Sequence, residues 1–194
     1  MQAFRRIIVA LDLSETDRHI LQFLAANAAL MGIEKAYFLH IMPDFTVPKH
    51  VDVEFQKLFA PEYPVDEKVR DKLGFDIQEA FGDDVGLEYS IEVIEGKPYE
   101  KLLHWTKVKE ADLLVVGKKE VSEGSGITAR RVARNARCNI LFIPADGYSE
   151  IDNLIVPLDF SAHSLHAIRA ALDFKNRKEE AVINGLYIVD LPPE

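Results

Sequence analysis

Arg6-Ile7-Ile8-Val9-Ala10-Leu11-Asp12-Leu13-Ser14 and Leu154-Ile155-Val156-Pro157-Leu158-Asp159-Phe160-Ser161 are one short passage written twice. In each, an apolar, partly β-branched run stops at an aspartate, and a serine follows two places later. A run this short and this apolar suits a strand covered on both faces, as in a parallel sheet. A helix follows the first copy, since Ile20, Leu21, Leu24, Ala28 and Met31 recur at helical spacing and Gly32 supplies a stop. A single shift of 147 places lays Ile8 on Ile155, Asp12 on Asp159, Ser14 on Ser161 and His19 on His166. The same shift then lays Leu39 on Leu186 and Ile41 on Ile188, without a gap. Strand, aspartate, serine, helix and strand in one order at one offset make a duplication.

Between the two copies, strand and helix patterns alternate. Strands are expected over 6–11, 35–42, 87–94, 111–117 and 139–143. Helices are expected over 67–81, 99–109 and 128–135, besides the one before Gly32. Residues 45–65 carry Pro48, Pro61 and Pro64 with no sustained period, and read as a long excursion. Alternation of this kind gives a doubly wound α/β sheet of five parallel strands. The apolar first and fourth strands need cover on both faces, which with right-handed crossovers predicts the order 3-2-1-4-5. The expected organisation is a domain over 1–145, a linker over 146–150, and the βαβ beginning of a second domain over 151–194.

Composition narrows the function. With 48% hydrophobic and 28% charged residues, the 194-residue chain can bury a core, which excludes a disordered protein. A net charge of -9 lacks the electrostatic footprint of a nucleic-acid or anionic-membrane binder. The single cysteine, Cys138, permits no intrachain disulfide and fits a reducing cytoplasm. No apolar run approaches the roughly 20 residues that span a bilayer. The expected location is therefore cytoplasmic.

Several stretches together resemble one family. Ile7 to Ser14, Leu154 to Ser161, Glu95-Gly96-Lys97-Pro98, Ala111 to Gly117 and Arg137 to Pro144 are similar, in that order, to motifs of the universal stress proteins. The resemblance implies a flavodoxin-like fold, a usual homodimer, tandem members with two such domains and, in one branch, an ATP site. It places an aspartate at Asp12 facing the adenine. A carboxylate just after a strand also serves as a helix cap, and both readings stay open. The family's phosphate loop is Gly-x-x-Gly, nine residues, then Gly with Ser or Thr, because backbone N–H groups must approach anionic oxygens without a Cβ in the way. Here Gly117 is present, but Glu120 replaces the second glycine, and Gly126 follows too early and precedes Ile127. Glutamates at 120 and 123 would repel a triphosphate. Lys118, Lys119, Arg130, Arg131, Arg134 and Arg137 supply positive charge nearby, which reads best as a solvated helix face.

Catalysis finds no constellation. Gly124-Ser125-Gly126 is not Gly-x-Ser-x-Gly, so it makes no nucleophile elbow. Ser14 and Ser161 precede His19 and His166, but both read better as helix starts. His163 and His166 lack a third metal ligand, and His104 and Trp105 read as packing or surface. Cys138 reads as a small buried hydrophobe. The expectation is therefore no enzyme and no cofactor: a binding and interaction protein of the bacterial stress response, from the branch without ATP. The alternative is an ATP-binding or weakly ATP-hydrolysing member that uses Asp12, Gly117, Ser125, Gly126 and Thr128. The βαβ piece over 151–194 is expected to leave one face of Leu154, Val156, Ile183 and Ile188 bare. That face would be buried against the first domain or another subunit, most simply in a homodimer.

Overall fold

The run Arg6–Leu11 forms β1, the middle strand of a five-stranded parallel sheet. The structure is a computed structural model that describes residues 4–43, 65–82, 85–118, 126–147 and 150–189. After β1 come α1 (Glu15–Met31), β2 (Lys35–Met42), α2 (Val65–Phe81), β3 (Glu88–Glu95) and α3 (Pro98–Val108). They are followed by β4 (Leu113–Lys118), α4 (Gly126–Asn135) and β5 (Asn139–Pro144). The order is β3-β2-β1-β4-β5, as the apolar first and fourth strands require. Each neighbouring pair is parallel. The excursion expected over 45–65 lies, up to residue 64, outside the described residues.

Alternate side chains of the central strands feed two cores. Ile7, Val9 and Leu11 point toward α1 and α2, where Leu24, Leu73 and Ile77 close over them. Ile8 points the other way, with Leu39 and Leu114, under Leu102 of α3 and Val132 of α4. Chain direction causes this division. The path runs from β1 outward to β3, then crosses to β4 on the far side of β1, and right-handed crossovers in opposite directions put their helices on opposite faces. Helix α1 ends as its sequence demands: Gly32 sits at φ 72°, and its N–H reaches the carbonyls of Ala28 and Ala29.

The duplicated passage forms a separate two-stranded parallel sheet, β6 (Asn153–Leu158) and β7 (Val182–Tyr187), joined by α5 (Ala162–Lys175). The last strand ends at Tyr187, where the sequence pattern predicts a strand over 182–189. The expectation for its bare face needs correcting. Val156 is buried and Leu154 and Ile183 are half-buried, because α5 crosses over the side of the sheet they share. The opposite parity is uncovered: Ile155, Val182 and Leu186 are exposed, as is Ile188 just past β7. Nor do the described residues of the first sheet's domain cover that face. Its recorded ties to the second unit lie elsewhere, with Arg177 Nη1 donating to the Leu30 carbonyl at 2.9 Å and Ile151 packing on the α1-side core.

Candidate functional site

A cleft of about 210 Å³ opens where the strand order reverses, beyond the carboxyl ends of β1, β2 and β4. Open α/β sheets hold ligands at this place, because diverging crossovers leave a crevice there. Leu39, Ile41, Leu102 and Val132 make an apolar floor, and Asp12 and Asp17 bring carboxylates to one side. No lysine or arginine is among the described residues that line it. Such a cleft can take a flat apolar body and accept N–H donors from it. It offers no described cation to an anionic group.

The β1–α1 corner sets the geometry of this wall. Asp17, buried in the first turn of α1, accepts the backbone N–H of Asp12 at 3.0 Å and that of Leu13 at 2.7 Å. Asp12 is exposed, and its Oδ1 accepts the N–H and the hydroxyl of Ser14. Between them Leu13 is held at φ 63°, a left-handed conformation that costs a non-glycine residue about 1–2 kcal/mol. Asp12 thus closes a turn onto the N-cap residue Ser14, and it is also part of the cleft wall.

Gly117, the last residue but one of β4, lies in the same wall. A Cβ there would stand 2.7 Å from Cγ2 of the buried Thr16, so the close approach of α1 to β4 itself demands glycine. Gly126 is the first residue of α4. Thr128 lies on that helix, but its side chain is outside the described residues, as is all of Ser125. The structure therefore brings Asp12 and Gly117 to one cleft, and the placement of the other three candidates relative to it is not described. Arg130, Arg131, Arg134 and Arg137 are exposed, and the Arg131 guanidinium stacks over the Tyr99 ring at 4.3 Å.

The remaining candidates stand apart from the cleft. His163 and His166 are exposed on α5, and among the described residues no three His, Cys, Asp or Glu converge as a metal site. His104 is exposed, and Trp105 packs at the edge of the α3-side core. Cys138 is half-buried, and burial pushes its thiol above the ordinary pKa. Sequence reasoning missed Asp17, Thr16 and His40. The buried His40 bonds Nδ1 to the Leu11 carbonyl at 2.9 Å, so that nitrogen carries the hydrogen and ties the ends of β1 and β2 together. Asp17 had one signal, a carboxylate in a first helical turn whose counterpart at the fixed offset is Ser164.

Comparison with known proteins agrees with this architecture. A model of the universal stress protein family matches residues 3–144. No curated protein matches the chain. A solved universal stress protein from Archaeoglobus fulgidus is 15% identical with a TM-score of 0.71, covering 95% of this chain and 67% of that one. Coverage that broad runs through both β-units. Universal stress protein UspA from Lactobacillus plantarum is 18% identical with a TM-score of 0.57, covering 73% of this chain and 98% of that one. A universal stress protein crystallised in complex with cAMP is 18% identical with a TM-score of 0.53, covering 74% of this chain and 98% of that one. At these identities the likeness is one of fold. Among the described residues no helix is long and apolar enough to cross a membrane.

Proposed function

The chain belongs to the universal stress protein family, and we propose that it works as a binding and interaction protein of the bacterial stress response, in the branch that does not hold ATP. The observation that carries this reading is the chemistry of the cleft wall: two carboxylates, no described cation, and a Gly117 whose lack of a Cβ is already required by Thr16. Glu120 and Glu123, with the early Gly126, point the same way. Residues 1–145 act as the family's domain, residues 151–194 as the βαβ beginning of a second one, and the protein is a cytoplasmic homodimer without catalytic residues. The position of the cleft and the cAMP held by a protein of the same fold favour a second reading. In it, an adenine nucleotide sits against Asp12, with Gly117, Ser125, Gly126 and Thr128 around its phosphates. Mass spectrometry of the purified full chain for carried nucleotide, followed by ATP titration calorimetry, separates the two. No nucleotide and no heat of binding are expected. ATP carried through purification would overturn the first reading and establish the second.

A further inference from the structure

Arg130, Arg131, Arg134 and Arg137 crowd together in a chain whose net charge is -9, and no aspartate or glutamate occurs from 124 to 145. All four are exposed. Elsewhere the exposed cations Arg5, Arg6, Lys72 and Lys97 are held by Glu34, Glu110, Asp76 and Glu100. Among the described residues none of the four arginines has such a partner. Arg18, Lys107 and Arg169 also lack one, but they stand on three different helices, and grouping is what sets α4 apart. Arg130 and Arg134 lie about one turn apart, each two residues from the buried Val132 and so on the opposite face of α4. Arg131 stands at the flank, its guanidinium over the Tyr99 ring of α3. Like charges at four-residue spacing weaken a helix, and no described carboxylate relieves them.

We propose that this face of α4 docks a short acidic segment of a partner protein; the idea rests on the interaction reading above and names its surface and its partner's chemistry. An arginine stacked on an aromatic ring keeps its planar fork of donors, and the stacking orders it before a carboxylate arrives. Arg131 on Tyr99 is therefore the anchor, and Arg130 and Arg134 extend the site along the helix. The step between those two is about 6 Å, which carboxylates four residues apart on a partner helix would match. Charge also selects the length of the partner. Without these arginines the chain is more acidic still than its net -9. A short segment stays within roughly one Debye length of the patch, about 8 Å at physiological ionic strength. A nucleic acid or an anionic membrane would extend past it over acidic surface and be repelled.

Fluorescence anisotropy of labelled hexaglutamate, titrated with the full nucleotide-free chain at low ionic strength, tests this. Wild-type protein is expected to bind it, and added salt to weaken the complex. The double variant Arg130→Ala with Arg134→Ala should bind at least about tenfold more weakly, for the loss of two charge-assisted contacts. Arg131→Lys, which keeps the charge but loses the stacked fork, should weaken binding severalfold. Arg5→Ala, which removes an equally exposed arginine that Glu34 already holds, should change it less than about twofold. Circular dichroism checks that the variants fold, and amide shifts of wild-type residues 130–137 on adding hexaglutamate give a readout that no variant can spoil. No binding by wild-type protein, or equal weakening by Arg5→Ala and the double variant, would overturn the site. Tighter binding of a thymidine oligonucleotide or of phosphatidylserine vesicles through the same arginines would overturn the acidic protein partner. Nucleotide carried through purification would overturn the reading without ATP and leave this surface standing.

Discussion

The β1–α1–β2 and β6–α5–β7 units share their sequence pattern and differ in what covers them. On the helix side they agree: Val9 and its counterpart Val156 are both buried. So do their corners, where Leu13 and Phe160 hold φ 63° and 59°, and Asp12 and Asp159 each accept the N–H of the serine two places on. On the far side they part, since Ile8 is wholly buried and Ile155 exposed. A βαβ unit brings one core with it, because its crossover helix is part of the unit. The second core arrives only with later elements, here α3, β4 and α4. Burial on that side is therefore decided by elements beyond the βαβ unit, and the same apolar position is core in one unit and exposed in the other.

Equivalent truncations should break this symmetry most strongly. Ile8→Ala is expected to cost about 2–5 kcal/mol, for lost transfer energy plus the cavity left between β1 and α3. Ile155→Ala, measured by urea unfolding at a dilution that keeps the chain monomeric, should cost less than about 0.5 kcal/mol, as exposed positions do. Equal costs in monomeric protein would mean that the open face is already covered within one chain. A smaller difference lies at the corners. Asp17 holds two backbone N–H groups in the first unit, whereas Ser164 at the matching position bonds its hydroxyl to the Ser161 carbonyl. Asp17→Ser should therefore destabilise by about 1–3 kcal/mol, by removing the charged acceptor that holds Leu13 left-handed. An unchanged urea midpoint would show that the corner holds itself.

Much of this was legible because it rests on period and parity. Apolar runs place β1 and β4 in the middle of the sheet, and the fixed offset finds the second unit down to its aspartate and serine. Helix ends were less legible: α4 begins two residues before the expected 128, and α2 two before 67, since first turns are polar and carry no period. Of the four residues expected on the bare face of β6–β7, Leu154, Val156 and Ile183 lie on the helix side, while Ile188 is exposed as expected. Period shows that Leu154 and Val156 share a face, but only the crossover shows which face the helix takes. In the cleft, Asp12 and Gly117 could be read because chemistry concentrates at strand ends. Asp17 could not, because its role is to hold a backbone turn whose left-handed residue is a leucine rather than a glycine.

The smallest expected difference between the units is electrostatic and belongs to the second corner. Asp159 is held at a pKa of about 2, below its ordinary 3.8, chiefly by the Ser161 hydroxyl and then by the Ser161 N–H. Each of these donors favours the charged carboxylate, so the sign is that of a depressed acid. The stabilisation it gives the start of α5 is fully present above about pH 4, the ordinary range, and fades as pH falls toward about 2. Because the group is fully exposed, its effect on global unfolding is small, and a local probe is the right one. Carbon-detected NMR of the side-chain carboxyl at pH 3 should find Asp159 still mostly ionised in the wild-type chain. In Ser161→Ala, which removes the strongest donor and also the hydroxyl that caps His163 and Ser164 but keeps the backbone N–H, the carboxyl should be distinctly more protonated at that pH. An Asp159 that titrates alike in both would mean that its turn is held by backbone alone.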